Sequence, residues 1–155
     1  MFQIGWFSCV LGGDLVAIVV VVFGLIVHHN VVMENQREWM LIGIIALVGC
    51  LWDLLMINTG VLVFPGALSL GIPVWLISLW VLFATTFSHS MYWLSNHWWL
   101  AGMAAALFGP ASYWSGGLMN GSQIGEPLFI SVTVLALGWL FLFPCGLLLV
   151  KRART

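Results

Sequence analysis

Apolar runs of about twenty residues alternate with short polar breaks along this chain, and that alternation predicts its elements. Five helices are expected: about Phe2–His28, Glu38–Asn58, Pro73–His89, Trp98–Met119 and Leu128–Val150. A run of about 21 residues reaches ~32 Å as a helix, matching a hydrocarbon core of ~30 Å. The breaks read as loops: His29–Arg37, Thr59–Ile72 with its glycines and Pro65, Ser90–His97, and Asn120–Pro127. The predicted fold class is therefore all-α, a single polytopic membrane bundle of about five crossings over residues 1–155. The first run is interrupted by Gly12-Gly13-Asp14, which supports two readings. Asp14 caps a helix from Leu15 to about Met33, leaving residues 1–13 as a short re-entrant or interfacial arm. Alternatively, one long bent helix carries Asp14 near mid-membrane.

Composition strengthens the membrane reading. Hydrophobic residues make up 63% of the 155 residues and charged ones 6%, against ~25% charged in a soluble domain. That is too little polar surface to cover a body in water, so lipid must be the solvent for most of it. The net charge of −1 and the lack of a basic stripe exclude a nucleic-acid partner. No positive n-region precedes the first helix, so it is expected to be retained. All four basic residues, Arg37, Lys151, Arg152 and Arg154, fall on one side under five crossings, which orients the chain N-out/C-in. Cys9, Cys50 and Cys145 stand singly without CxxC spacing and read as small buried hydrophobes.

Small residues mark the packing faces, because they let helix backbones approach. Such stripes are Gly5, Ser8, Cys9 and Gly12; Gly43, Ala46, Gly49 and Cys50; and Gly102, Ala106, Gly109, Tyr113 and Gly116. Seven of the ten tryptophans lie near predicted helix ends as an interfacial belt, whereas Trp52, Trp80 and Trp139 fall deeper and are expected between helices.

Few residues are left to carry chemistry. Asp53 lies about five residues inside the outer end of the second helix, where an acid is costly unless paired, hydrated or protonated. It marks either a binding function or a packing lock accepting hydrogen bonds from Tyr113, Ser112 or a neighbouring helix end. Thr85 and His89, four apart, share a face of the third helix with Thr86 alongside, making His89 a candidate acid, base or ligand helped by Thr85. The alternative is that these hydroxyls return to backbone carbonyls. His28, His29 and His97 also fall near the inner face, but no HxxxH pair occurs and adjacent His28 and His29 point apart. No metal and no cofactor are therefore expected. Convergence of His89 and His97 with a Glu of the first inner loop, Glu34 or Glu38, is the geometry that raises an enzyme or metal reading. Pro110, with Ser112 and Tyr113, bends the fourth helix and can line a cavity.

The stretches Gly5-Trp6-Phe7-x-Cys9-Val10-Leu11-Gly12, Trp80-x-x-Phe83-Ala84-Thr85-Thr86-x-x-His89-Ser90-x-x-Trp93-Leu94 and Gly109-Pro110-x-Ser112-Tyr113-x-x-Gly116 together resemble one family. It comprises small bacterial inner-membrane proteins classed as a domain of unknown function, and the resemblance covers essentially the whole chain. It implies a multi-pass protein of the bacterial inner membrane, in the company of lipid-modifying enzymes; no activity transfers with it. The expected partners are the lipid bilayer, a lipid or small amphiphilic ligand, and a partner membrane enzyme. Two function classes follow: a binding or accessory subunit of a membrane process, or a lipid-modifying membrane enzyme using His89. A substrate-capture subunit of a transporter is a variant of the first, since Gly49-Cys50-Leu51-Trp52-Asp53-Leu54-Leu55 faintly resembles vitamin-uptake components.

Overall fold

A computed structural model describes residues 2–65 and 71–154 of the chain. Five helices account for most of it: α1 Phe2–Val27, α2 Arg37–Asn58, α3 Val74–Phe87, α4 Trp98–Asn120 and α5 Leu128–Arg154. A π-helical turn, His28–Val32, extends α1, and a 3-10 turn, Tyr92–Asn96, links α3 to α4. Two residues from each of the other two connections pair as an antiparallel ribbon, β1 Leu62–Val63 with β2 Gln123–Ile124. Residues 66–70, within the loop expected over Thr59–Ile72, lie outside the described residues.

Helix α1 is a hairpin. At Gly13 the backbone takes φ 68° and ψ −169°, a conformation open to glycine and strained for other residues. The chain reverses there: a Cβ placed on Gly5 would lie 3.8 Å from Val20. Cys9 and Ala17, both fully buried, meet in one cluster with Leu82 of α3. The arm 2–12 therefore runs back along the arm 14–27 and brings Phe2 against Phe83, ring centroids 5.4 Å apart. Asp14 sits at the bend, but its carboxylate caps α3 instead of its own helix, Oδ1 accepting from the Trp75 backbone N–H at 3.0 Å. Over the described residues the expected single helix Phe2–His28 is thus replaced by a short arm, 2–12, folded back on a helix that starts at Asp14, which agrees with the arm reading and not with one long bent helix.

Three stretches are long and apolar enough to cross a membrane: Phe2–Val32, Arg37–Asn58 and Leu128–Arg154. The first owes part of its length to the folded-back arm; the remainder, residues 14–32, still covers ~28 Å at helical rise. Helix α3, with 14 residues, covers only ~21 Å, and it ends at Phe87, short of the expected His89. Its last turn unwinds because the Thr86 carbonyl accepts both His89 N–H and Met91 N–H at 3.3 and 3.0 Å, closing a tight turn. Large apolar side chains point away from the bundle, Phe129 at 82% exposure and Leu118 at 78% among them. A surface of that kind is stable only against lipid, and the chain is a membrane protein.

Packing follows an unexpected rule. Gly49 and Gly109 of the stripes, and Gly138 and Gly146 of α5 outside them, receive aromatic rings instead of neighbouring backbones. A Cβ on Gly49 would fall 2.2 Å from the Trp80 ring, on Gly109 2.3 Å from Trp139, on Gly138 2.0 Å from Trp52, and on Gly146 2.6 Å from Phe87. Only Gly102 answers the backbone expectation, its Cβ position lying 3.1 Å from the Leu140 carbonyl oxygen. Trp80 of α3 and Trp139 of α5 then stack face to face, 5.3 Å apart and 11° from parallel, joining the two halves of the bundle. Such offset ring pairs contribute ~0.5–1.5 kcal/mol beyond the area they bury.

Candidate functional site

Helix α2 carries a buried acid near each end, and each is the centre of a polar cluster. Asp53 has no exposed surface. Its Oδ2 accepts the Trp80 indole N–H at 2.6 Å, and its Oδ1 accepts the Tyr113 hydroxyl of α4 in a short hydrogen bond. Three helices thus converge on one carboxyl group. A buried acid accepting two hydrogen bonds avoids much of the cost of leaving water. Gly49, one turn before Asp53, supplies the hollow that lets the Trp80 ring approach. Of the sequence candidates, Asp53 and Tyr113 are therefore together. Ser112 lines the same cavity but does not bond to Asp53, since its hydroxyl donates to the Gly109 carbonyl at 2.6 Å, the bond expected near a proline.

Beside this cluster lies a partly open cavity of about 610 Å³, within the ~300–1,000 Å³ typical of ligand sites. Its lining includes the aromatic rings of Trp80, Phe83 and Trp139, with Asp53 buried behind them. One wall is the 2–12 arm of α1 and the other is α4, where a Cβ placed on Gly116 would lie 3.9 Å from the Trp6 ring. Exposed Phe7 and Phe108 belong to the same lining and mark its outer rim. The break at Gly13 thus has a consequence for the site: it places an apolar arm beside the cleft.

The second cluster lies at the opposite end. Glu38 lies in the first turn of α2 and is 4% exposed. Its Oε1 accepts the Glu34 backbone N–H at 3.2 Å, which leaves Oε2 turned toward two histidines. His89 Nε2 stands 2.8 Å from Oε2 and His28 Nε2 3.3 Å from it, with the two imidazole rings edge to face at 5.4 Å. His28, on the π-helical turn, is buried, whereas His29 is exposed and lies against Trp39, so the adjacent pair does point apart. His97 is exposed too and approaches only its own turn, at the Trp93 carbonyl.

Thr85 and Thr86 do not join His89. Their hydroxyls donate to the carbonyls of Leu82 and Phe83 at 2.7 and 2.6 Å. Because α3 ends at Phe87, His89 is no longer on the helical face of Thr85 and swings to Glu38 instead. Sequence reasoning had Glu38 as one of two acids to watch and His28 as one histidine of several. It missed that they meet, and it missed Trp80 as a donor to Asp53. The hollow at Gly49 was the available sign of Trp80.

Basic side chains gather at the Glu38 end. Arg154 pairs with Glu34 at 3.2 Å and lies 4.6 Å over the Tyr92 ring, and Lys151 Nζ donates to Asn96 at 2.9 Å. The first connection, the α3–α4 connection and the end of α5 therefore share one end of the bundle. No curated protein and no solved structure matches the chain. A family model does, over residues 1–145, under the description "Protein of unknown function (DUF2878)". The chain belongs to that family.

Proposed function

We propose that this is a binding or accessory protein of the bacterial inner membrane that holds the apolar part of a lipid or small amphiphile in the cleft between the 2–12 arm and α4. The observation that carries this reading is the cleft itself: about 610 Å³, lined mostly by apolar and aromatic side chains, with Asp53, Ser112 and Tyr113 among the polar residues at it. Ligand sites have that character, mostly apolar with a few placed polar groups. The gathering of Lys151 and Arg154 at one end favours a cytoplasmic C-terminus by the positive-inside rule, which puts Asp53 in the outer half of the bundle. The resemblance to proteins accompanying lipid-modifying enzymes agrees with a lipidic ligand and a partner enzyme.

One observation favours the second class, a lipid-modifying enzyme. His89 is oriented by a carboxylate at 2.8 Å, the arrangement that holds a general base in one tautomer.

Native mass spectrometry of the full chain released from mild detergent tests the binding reading. The wild type is expected to carry a stoichiometric amphiphile. Gly116→Leu, which fills the cleft where the nearest side-chain atom is 3.9 Å away, is expected to lose it. Leu118→Ala, on the lipid-facing side, is expected to keep it. No bound amphiphile in the wild type, or equal amounts in the wild type and Gly116→Leu, overturns the proposal.

A further inference from the structure

The geometry points to a divalent transition-metal site formed by His28, Glu38 and His89. Their ligating atoms, two imidazole nitrogens and one carboxylate oxygen, all lie within 4.8 Å of one another. Tetrahedral ligands held ~2.1 Å from zinc stand ~3.4 Å apart, and the observed separations from Glu38 Oε2 are 2.8 and 3.3 Å. Small side-chain rotations would therefore bring all three onto one ion. Two imidazoles and a carboxylate suit Zn²⁺, Fe²⁺ or Ni²⁺, not Mg²⁺ or Ca²⁺, which prefer oxygen throughout.

An ordinary histidine–acid pair does not account for the arrangement. Both rings aim at the same oxygen, and only His89 makes an aligned hydrogen bond with it. His28 Nε2 is buried with no hydrogen-bond partner among the described residues, on a residue only 5% exposed. Such an orphan costs ~1–3 kcal/mol; Trp52, Ser95, Asn120 and Trp139 carry others among the described residues, but the His28 nitrogen is the one that stands 3.3 Å from a carboxylate oxygen already approached by a second imidazole. A metal ion would take a lone pair from each of the three side chains at once and remove that cost. The supports also fit. The Glu34 backbone N–H holds the other carboxylate oxygen, as a second shell does.

Three separate elements bring the ligands together: the π-helical turn His28–Val32, the first turn of α2 and the tight turn after α3. A π-helical turn shifts its side chains relative to a regular helix, and such turns concentrate at functional sites. Here it aims His28 inward. Exposure is uneven, with 6% for the His28 and Glu38 side chains and 20% for His89. The ion would be held on the bundle side and reached past His89. Three protein ligands leave a coordination position open, which is the pattern of a reactive metal site and not of a closed structural one.

The test is a titration of the full chain in detergent, first stripped with chelator, with Zn²⁺ alone and with Co²⁺ as the spectroscopic probe. One equivalent per chain is expected. Glu38→Gln, His28→Gln and His89→Gln should each weaken binding by more than the ~10–100-fold that loss of an outer-shell partner costs. His29→Gln and His97→Gln, on exposed histidines at the same end, should leave it unchanged. X-ray absorption on the zinc-loaded wild type provides a measurement that does not depend on any variant folding. Two histidine nitrogens with an oxygen ligand support the site. A shell without histidine, unchanged affinity in Glu38→Gln, or an equal loss in His29→Gln or His97→Gln overturns it.

Discussion

Asp53 and Glu38 lie on the same face-bearing helix, about fifteen residues or ~22 Å apart, and both are removed from solvent. Asp53 meets only donors, an indole N–H and a phenol, one for each oxygen, and none of its polar atoms is orphaned. Glu38 meets two imidazoles that crowd a single oxygen, and one of their nitrogens has no hydrogen bond. The difference separates two uses of a buried acid. A saturated carboxyl group fixes helices in register; a convergent, incompletely bonded set is poised for something that it lacks. Burial alone does not distinguish them, but counting donors against acceptors does.

That comparison can be broken by substitution, and the largest effect is expected at Asp53. Asp53→Ala orphans two buried donors at ~1–3 kcal/mol each, so a loss of about 2–6 kcal/mol is expected in denaturant or thermal unfolding in detergent. Asp53→Asn keeps an acceptor for one donor and should cost less than half as much. A change below ~1 kcal/mol for Asp53→Ala would mean that the carboxyl group locks nothing.

Gly49→Ala comes next, because its new Cβ would fall 2.2 Å from Trp80 and push the ring off both Asp53 and Trp139. Overpacking of this kind typically costs ~1–3 kcal/mol. Gly43→Ala on the same helix meets nothing within 4 Å and should be neutral or stabilising by up to ~1 kcal/mol. Equal effects at the two glycines would contradict the ring-in-hollow packing.

Glu38→Gln, in metal-free protein, removes one good hydrogen bond and should cost ~0.5–1.5 kcal/mol, less than Asp53→Ala by the same unfolding measurement. Reversal of that order would make Glu38 the lock. Smallest of all is Arg154→Ala, whose partner Glu34 is largely exposed. A solvated pair of this kind contributes ~0–1 kcal/mol, and a larger loss would implicate the stacking of Arg154 on Tyr92.

Much of the bundle was legible in the chain, because membrane-spanning helices announce themselves by run length and their ends by Pro, Gly and charge. Gly12-Gly13-Asp14 signalled a break, although periodicity could not tell a bend from a reversal. Asp53 stood out since an acid in an apolar run is costly wherever it points. Its partner Tyr113 was within reach by parity, but Trp80 looked like one more deep indole until the hollow at Gly49 gave it a place. The His28–Glu38–His89 cluster was not legible, because it needs three segment ends to meet in space. It also needs two local departures from regular helix that no hydrophobic pattern records: the π-helical turn at His28 and the early end of α3. The β1–β2 ribbon is equally silent, two residues on each side being too short for any alternation to show.

The sharpest test of the contrast is the shift in unfolding temperature caused by Zn²⁺ in the wild type, Asp53→Asn and Glu38→Gln, measured in one detergent. Binding to the native state alone raises stability by mass action. Equal upward shifts are predicted for the wild type and Asp53→Asn, and none for Glu38→Gln. A shift that survives in Glu38→Gln, or that vanishes in Asp53→Asn, would contradict the assignment of the two acids.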